Sequence, residues 1–171
     1  MVNYQQKFRL DGKIAYIVGG LGLIGSEVSM AIASAGAKTI ILDVDHKKAN
    51  TFLDAMAKIS PVVFELFDCT KLDKLEKHFS DIISTHANPN IFVNCSYPRT
   101  KDWGGAVGSS FEDISFDSFR ENVDIHMNSY AWLAKIAASH MKQNKQGGSI
   151  IQFGSTYGYV AQDLTLYDYE G

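Results

Sequence analysis

Cysteine is scarce in this chain. Cys69 and Cys95 are the two in 171 residues, 26 positions apart, with no C-x-x-C spacing and no set of partners for a disulfide framework. Both are read as reduced thiols. The five histidines, at positions 46, 78, 86, 126 and 140, form neither an H-x-x-x-H pair nor a Cys/His cluster, so no metal site is expected. An excess of one charge is also missing: a net charge of −3 offers no broad cationic face for neutralising phosphates, which argues against a nucleic-acid partner. No apolar run approaches the roughly 20 residues that span a bilayer. The N-terminal stretch MVNYQQKFRLDGK has no apolar signal core. A cytoplasmic protein without a membrane partner is expected.

What is present is an ordinary globular composition, 46% hydrophobic and 20% charged. A chain of this length fits one domain and buries about 70% of its unfolded surface. Short apolar runs alternate with longer amphipathic ones. KIAYIV (13–18), KTIILD (38–43), VVFELF (62–67), NIFVNC (90–95) and SIIQF (149–153) read as strands. Apolar runs without polar alternation are what strands covered on both faces look like. Helices are predicted from about Leu23 to Ala35, ended by Gly36, and from His46 to Ile59, with Asp45 as N-cap and Pro61 as the stop. Two more are predicted, one from near Thr70 and a long one from about Ser115 to Gln143, after a Gly- and Ser-rich loop over 96–110. The alternation implies an α/β protein of the Rossmann type, a doubly wound parallel sheet of about five strands in the order 3-2-1-4-5.

The stretch GGLGLIGSEV (19–28) puts four glycines within seven positions directly after the first strand. Gly20, Gly22 and Gly25 satisfy G-x-G-x-x-G between a strand and its helix, the context a dinucleotide fingerprint requires. One glycine allows the tight turn, one lets backbone N–H groups approach a pyrophosphate, and one lets the helix pack closely on the sheet. The second strand ends at Asp43, 18 residues after Gly25, about where a carboxylate meets the adenosine ribose. The plainer alternative is a tight strand–helix turn with Asp43 capping the next element. A carboxylate at that place accepts hydrogen bonds from the ribose hydroxyls and repels a 2′-phosphate. No arginine lies near the end of this strand, although His46, Lys47 and Lys48 follow it, so NAD is expected over NADP.

With these residues in place the chain resembles the short-chain dehydrogenase/reductase family over nearly its whole length. GGLGLIG looks like the family's glycine turn, with Gly19, Gly22 and Gly25 spaced G-x-x-G-x-x-G, Val18 in place of a threonine and Leu23 in place of a glycine. FDCT is similar to the D-V-T after the third strand, which implies that Asp68 lies beside an adenine ring. VNCSY stands where N-N-A-G ends the fourth strand, keeping Asn94 and replacing the rest with Cys95 and Ser96. VNCSYPRTKDWG also looks like the branch associated with bacterial surface-sugar and flagellin-modification loci. The resemblance thus assigns the cofactor surface to Gly19, Gly20, Gly22, Leu23, Ile24 and Gly25 of the turn, with Asp43, Asp68, Cys69, Asn94, Cys95 and Ser96 around it. ENVDIHMN resembles the segment carrying the family's helix asparagine, here Asn122, which helps hold an ordered water. GSIIQFGSTYG places the carbonyl-polarising serine at Ser155.

The departure lies further on. Tyr157, Tyr159, Tyr167 and Tyr169 follow Ser155, but no lysine follows Lys145, so the family's Tyr-x-x-x-Lys pair has no match. That pair is the proton donor and the cation that tunes it, since a tyrosine near pKa 10 is a poor acid–base group at neutral pH. The expectation is a single NAD(P)-binding Rossmann domain over 1–171 that stops before the family's last helix, its sixth and seventh strands and its substrate loop. The function the resemblance implies is an NAD-dependent oxidoreductase acting on a hydroxyl or carbonyl group of a small molecule, a sugar or sugar nucleotide. The alternative is a non-catalytic dinucleotide-binding module. A methyltransferase using S-adenosylmethionine shares the glycine turn but not the series Asp68, Asn94, Asn122 and Ser155. A homodimer or homotetramer is expected through an apolar face of the long helix formed by Ile125, Trp132, Leu133 and Ile136. His126, one turn beyond Asn122, reads as a packing or substrate-side residue, and Arg99 and Trp103, in the loop after the fourth strand and within reach of a substrate, read rather as loop residues.

Overall fold

The computed structural model describes residues 4–57, 59–100, 114–145 and 147–161. Five strands, β1 (Ile14–Val18), β2 (Lys38–Asp43), β3 (Val62–Leu66), β4 (Ile91–Asn94) and β5 (Ser149–Gln152), form one sheet in the order β3-β2-β1-β4-β5. Every pairing is parallel, and the register aligns the strand ends: Val18 of β1 lies opposite Leu42 of β2 and Asn94 of β4. The helices are α1 (Leu23–Ser34), α2 (His46–Met56), α3 (Leu72–His86), α4 (Phe116–Val123) and α5 (Ser129–Met141). The expected long helix is thus present as α4 and α5 joined by a single π-helical turn, Asp124–Asn128.

Local chemistry explains the boundaries. α1 ends where Gly36 takes a φ of 107°, a left-handed conformation that suits glycine. α2 begins where the Asp45 carboxylate accepts from the Lys48 backbone N–H at 3.0 Å, and it stops at Met56, short of the expected Ile59. α4 begins with the Ser115 hydroxyl accepting from the Ser118 N–H at 3.1 Å.

The central strands are buried on both faces, as their unbroken apolar runs require. Tyr16, Val18, Ile40, Leu42 and Phe92 point to one face and meet Leu75, Phe79, Ile83, Leu133 and Ile136 from α3 and α5. Ala15, Ile17 and Val93 point to the other, against Val28 and Ile32 of α1, while Ile41 meets Ala49 and Phe52 of α2. β5 departs from this pattern. It pairs with β4 alone and is exposed along its length, with Ile151 48% accessible, because among the described residues it forms the sheet's edge.

The apolar face expected to pair two copies is also differently used. Ile125, Leu133 and Ile136 are buried in this chain's own core. Trp132 is exposed, but its Nε1–H donates to Glu76 at 3.1 Å and Lys135 lies over its ring at 3.7 Å. The exposed apolar groups of this rod are instead Phe116, Phe119 and Met127. The reason is that α5 packs on α3 and the sheet, which consumes its apolar side.

Phe79 centres the larger core, fully buried and in ring contact with Tyr16, Phe67 and Phe92 at 5.6 to 5.9 Å. Phe79→Ala is expected to cost about 3–5 kcal/mol of stability, read as a lower urea midpoint with an unchanged slope.

Candidate functional site

The turn from β1 to α1 holds glycines of two kinds. At Gly19, φ is 70° and a Cβ would lie 2.7 Å from the Ser96 backbone. A Cβ on Gly25 would lie 1.9 Å from the Gly19 carbonyl oxygen, and one on Gly20 would meet Ile41 Cγ2 at 2.8 Å. These three are required by the protein's own close packing. Gly22 is not. A Cβ there meets a single atom, the Gly19 oxygen at 3.3 Å, and its backbone (φ −71°, ψ 176°) suits any residue. Gly22 is also the N-cap of α1, where serine, aspartate or asparagine would bond the free N–H groups, yet no side chain caps this helix. A position where a single carbonyl would have to give by a few tenths of an ångström to admit a capping side chain, and where such a cap would stabilise the helix, is instead a glycine lining a cleft. That is the arrangement that leaves helix N–H groups and the positive dipole end to a phosphate, so the residues present fit a dinucleotide.

The cleft has a volume of about 840 Å³ and runs across the carboxyl ends of β3, β2, β1 and β4, the place where open α/β sheets bind ligands. It brings together Gly19, Gly22, Leu23 and Ile24 of the turn, Asp43 after β2, Asp68 and Cys69 after β3, and Cys95 and Ser96 after β4. Leu23, 91% exposed, offers apolar surface at the mouth. Gly20 and Gly25 do not line the cleft but hold the turn that does. Asn94 lies beneath it, fully buried, its Oδ1 accepting from Ser96 N–H at 3.1 Å and from Ser96 Oγ at 2.7 Å. It therefore shapes the turn after β4.

Asp43 serves the structural role weighed for it, and it lines the cleft. Its Oδ2 accepts from Leu21 N–H at 2.9 Å and so ties the glycine turn to β2, while Oδ1 accepts from the N–H groups of Val44 (2.8 Å) and Asp45 (3.1 Å). A carboxylate has roughly four acceptor positions, so capacity remains toward the cleft. Asp68 is similar: Oδ1 accepts from the N–H and hydroxyl of Thr70 at 2.9 and 2.7 Å, and Lys71 lies 3.8 Å from Oδ2. Burial pushes the Cys69 thiol up from its ordinary pKa and the Cys95 thiol up to about 11. Both stay protonated at neutral pH and serve as lining, not as nucleophiles. Among the described residues no cluster of His, Cys, Asp and Glu is placed to hold a metal ion, and no helix is long and apolar enough to cross a membrane.

Neither Asn122 nor Ser155 lines this cleft. Asn122 Nδ2 donates to Ser118 O at 3.0 Å and Thr100 Oγ1 at 3.2 Å, leaving a buried Oδ1 with no partner among the described residues. Ser155 is exposed and caps a one-turn 3-10 helix (Thr156–Gly158), its Oγ accepting from Tyr157 N–H at 3.1 Å. Trp103, Tyr167 and Tyr169 lie outside the described residues. Tyr97 and Pro98, which sequence reasoning passed over, and Arg99, which it read as a loop residue, form the cleft wall after β4. The signal available was position: an aromatic and a cation directly following a central strand of a doubly wound sheet.

The short chain dehydrogenase family model matches residues 13–167, and the chain belongs to that family. It is 25% identical over 170 residues to galactitol 2-dehydrogenase of Rhizobium johnstonii, covering 98% of this chain and 63% of that protein. It is 24% identical over 162 residues to post-translational flagellin modification protein A of Campylobacter coli, covering 93% of this chain and 61% of that one. A solved 7α-hydroxysteroid dehydrogenase, in complex with NADH and 7-oxo glycochenodeoxycholic acid, superposes with a TM-score of 0.75 at 26% identity, over 98% of this chain and 62% of the other. The chain thus spans a little over three fifths of the length of these relatives.

The two kinds of glycine predict different failures. Gly22→Val is expected to keep its circular dichroism and to lose nucleotide binding, whereas Gly25→Val is expected not to fold. Dichroism and NADH titration on both variants check this.

Proposed function

We propose that this chain is a single dinucleotide-binding domain of a cytoplasmic, NAD-dependent short-chain oxidoreductase acting on a hydroxyl or carbonyl group. The observation that carries the reading is Gly22, an uncapped helix N-terminus kept free of side chain at the cleft. When bound, the nicotinamide supplies the hydride acceptor or donor. The chain's part is to hold and orient. The amides after Gly22 take the pyrophosphate, Asp43 takes the ribose hydroxyls with its remaining acceptor capacity, and Asp68 with Cys69 borders the adenine. Cys95 and Ser96 form the opposite wall, with Asn94 beneath them holding the turn.

Ser155 is assigned to polarise the substrate oxygen. Its Oγ accepts from Tyr157 N–H, which leaves its own hydrogen to donate. Asn122 is assigned to hold an ordered water, for which its buried, unpartnered Oδ1 is suited. A sugar or sugar nucleotide is the substrate class favoured, from the likeness to galactitol 2-dehydrogenase and, for surface-glycan or flagellin modification, from the likeness to the Campylobacter protein. A second reading, a non-catalytic dinucleotide-binding module, is favoured by one observation: Ser155 stands outside the cleft and serves a turn.

Assembly as a homodimer or homotetramer is assigned to the exposed stripe of Phe116, Phe119 and Met127. Sedimentation should show association that Phe119→Glu abolishes.

NADH is expected to bind more tightly than NADPH by at least about tenfold, since a carboxylate facing a 2′-phosphate costs more than 1.4 kcal/mol. Asp43→Asn, which keeps one oxygen for the turn, should narrow that gap, and calorimetric titration of both cofactors measures it. NADH formation assayed on a panel of sugars and sugar nucleotides separates the enzyme from the module: turnover supports the enzyme, and NADH binding without turnover supports the module.

A further inference from the structure

The cleft wall after β4 carries side chains for which the reading above has no task. Tyr97 is 60% exposed there. Behind it stands His126, its ring centroid 5.1 Å from that of Tyr97 at an interplanar angle of 46°. His126 belongs to the π-helical turn between α4 and α5, and such turns recur at functional sites because the inserted residue re-aims a side chain. Burial holds the His126 pKa below its ordinary value, partly offset by a hydrogen bond to the Pro98 backbone. It is a neutral ring at neutral pH.

The positive charge of this wall belongs to Arg99. Its guanidinium lies 6.0 Å from the Tyr97 ring centroid, it is exposed, and it lines the cleft. Among the described residues no carboxylate pairs with it. Lys48, the other described cation of the cleft lining, is 3.4 Å from Asp45. A guanidinium at the edge of cation–π range of an aromatic ring still presents a planar fork of donors that matches carboxylate and phosphate oxygens two at a time.

We propose that Arg99 is a specificity residue that binds an oxyanion, phosphate or carboxylate, of the compound held in this cleft, with Tyr97 and His126 as positioning residues for its guanidinium. The proposal rests on the nucleotide reading of the same cleft. The oxyanion has two sources, the pyrophosphate of the dinucleotide or an anionic group of the substrate.

Calorimetric titration of the whole chain with NADH, UDP-glucose, galacturonate and adenosine separates them. Arg99→Gln is expected to weaken at least one of the three anionic probes by about 10- to 100-fold and to leave adenosine, which has no oxyanion, unchanged. Arg99→Lys should recover only part of the loss. His126→Ala should weaken the same probe, and His126→Phe, which keeps a ring against Tyr97, should restore it. A loss confined to NADH assigns Arg99 to the pyrophosphate, and a loss with UDP-glucose or galacturonate assigns it to the substrate. No Arg99-dependent binding of any anionic probe overturns the proposal. The nucleotide reading fails separately, if the wild-type chain binds neither NADH nor adenosine.

Discussion

The contact between Gly25 and the Gly19 carbonyl sets where everything else in the site can be. With no Cβ on Gly25, the first turn of α1 lies directly against the end of β1, in space that a methyl group would fill to within 1.9 Å of an oxygen. The same turn is held sideways, by Asp43 Oδ2 on the Leu21 N–H and by the Gly19 N–H on Leu42 O at 2.8 Å. Three strands are thereby tied at their carboxyl ends, since the Cys95 N–H also donates to Val18 O at 2.8 Å. The N-terminus of α1 has no freedom to turn away from the cleft. Its N–H groups are aimed before any ligand arrives, and preorganisation of this kind lowers the cost of binding.

Asp43 links architecture to specificity. One oxygen accepts from the turn and the other from the backbone that leads into α2, at a position that also lines the cleft. Removing this carboxylate therefore removes two supports at once, the one on the glycine turn and the one on the backbone leading into α2. Arg99 differs in that no comparable structural debt is visible among the described residues. An exposed guanidinium at the cleft with no carboxylate partner among the described residues is better suited to recognition than to support.

Much of this was legible in the sequence, for identifiable reasons. IAYIV, KTIILD and NIFVN read as strands because a parallel sheet covered by α1 and α2 on one face and α3 and α5 on the other leaves no polar alternation. The placing of the glycine turn between β1 and α1 was legible because spacing and context together are restrictive. The fate of β5 did not, since SIIQ looks the same in sequence whether it is a covered strand or an edge. Ile125, Leu133 and Ile136 were open to either a core or an interface because helical spacing shows that a face is apolar but not what covers it. The wall of Tyr97 and Arg99, with His126 behind it, was hidden for a different reason: His126 reaches the Tyr97 ring from a π-helical turn, which has no simple sequence signature.

The central claim is that the free N-terminus of α1, beside Gly22, is a phosphate site within a dinucleotide cleft. Amide nitrogen–proton spectra of the isotopically labelled chain, recorded during titration with NADH, test it most directly. The account predicts that the largest shifts fall on the amides of Leu23, Ile24 and Gly25, with smaller ones at Val44, Thr70 and Ser96. Saturable NADH binding that leaves those α1 amides unmoved, or no binding at all, would contradict it.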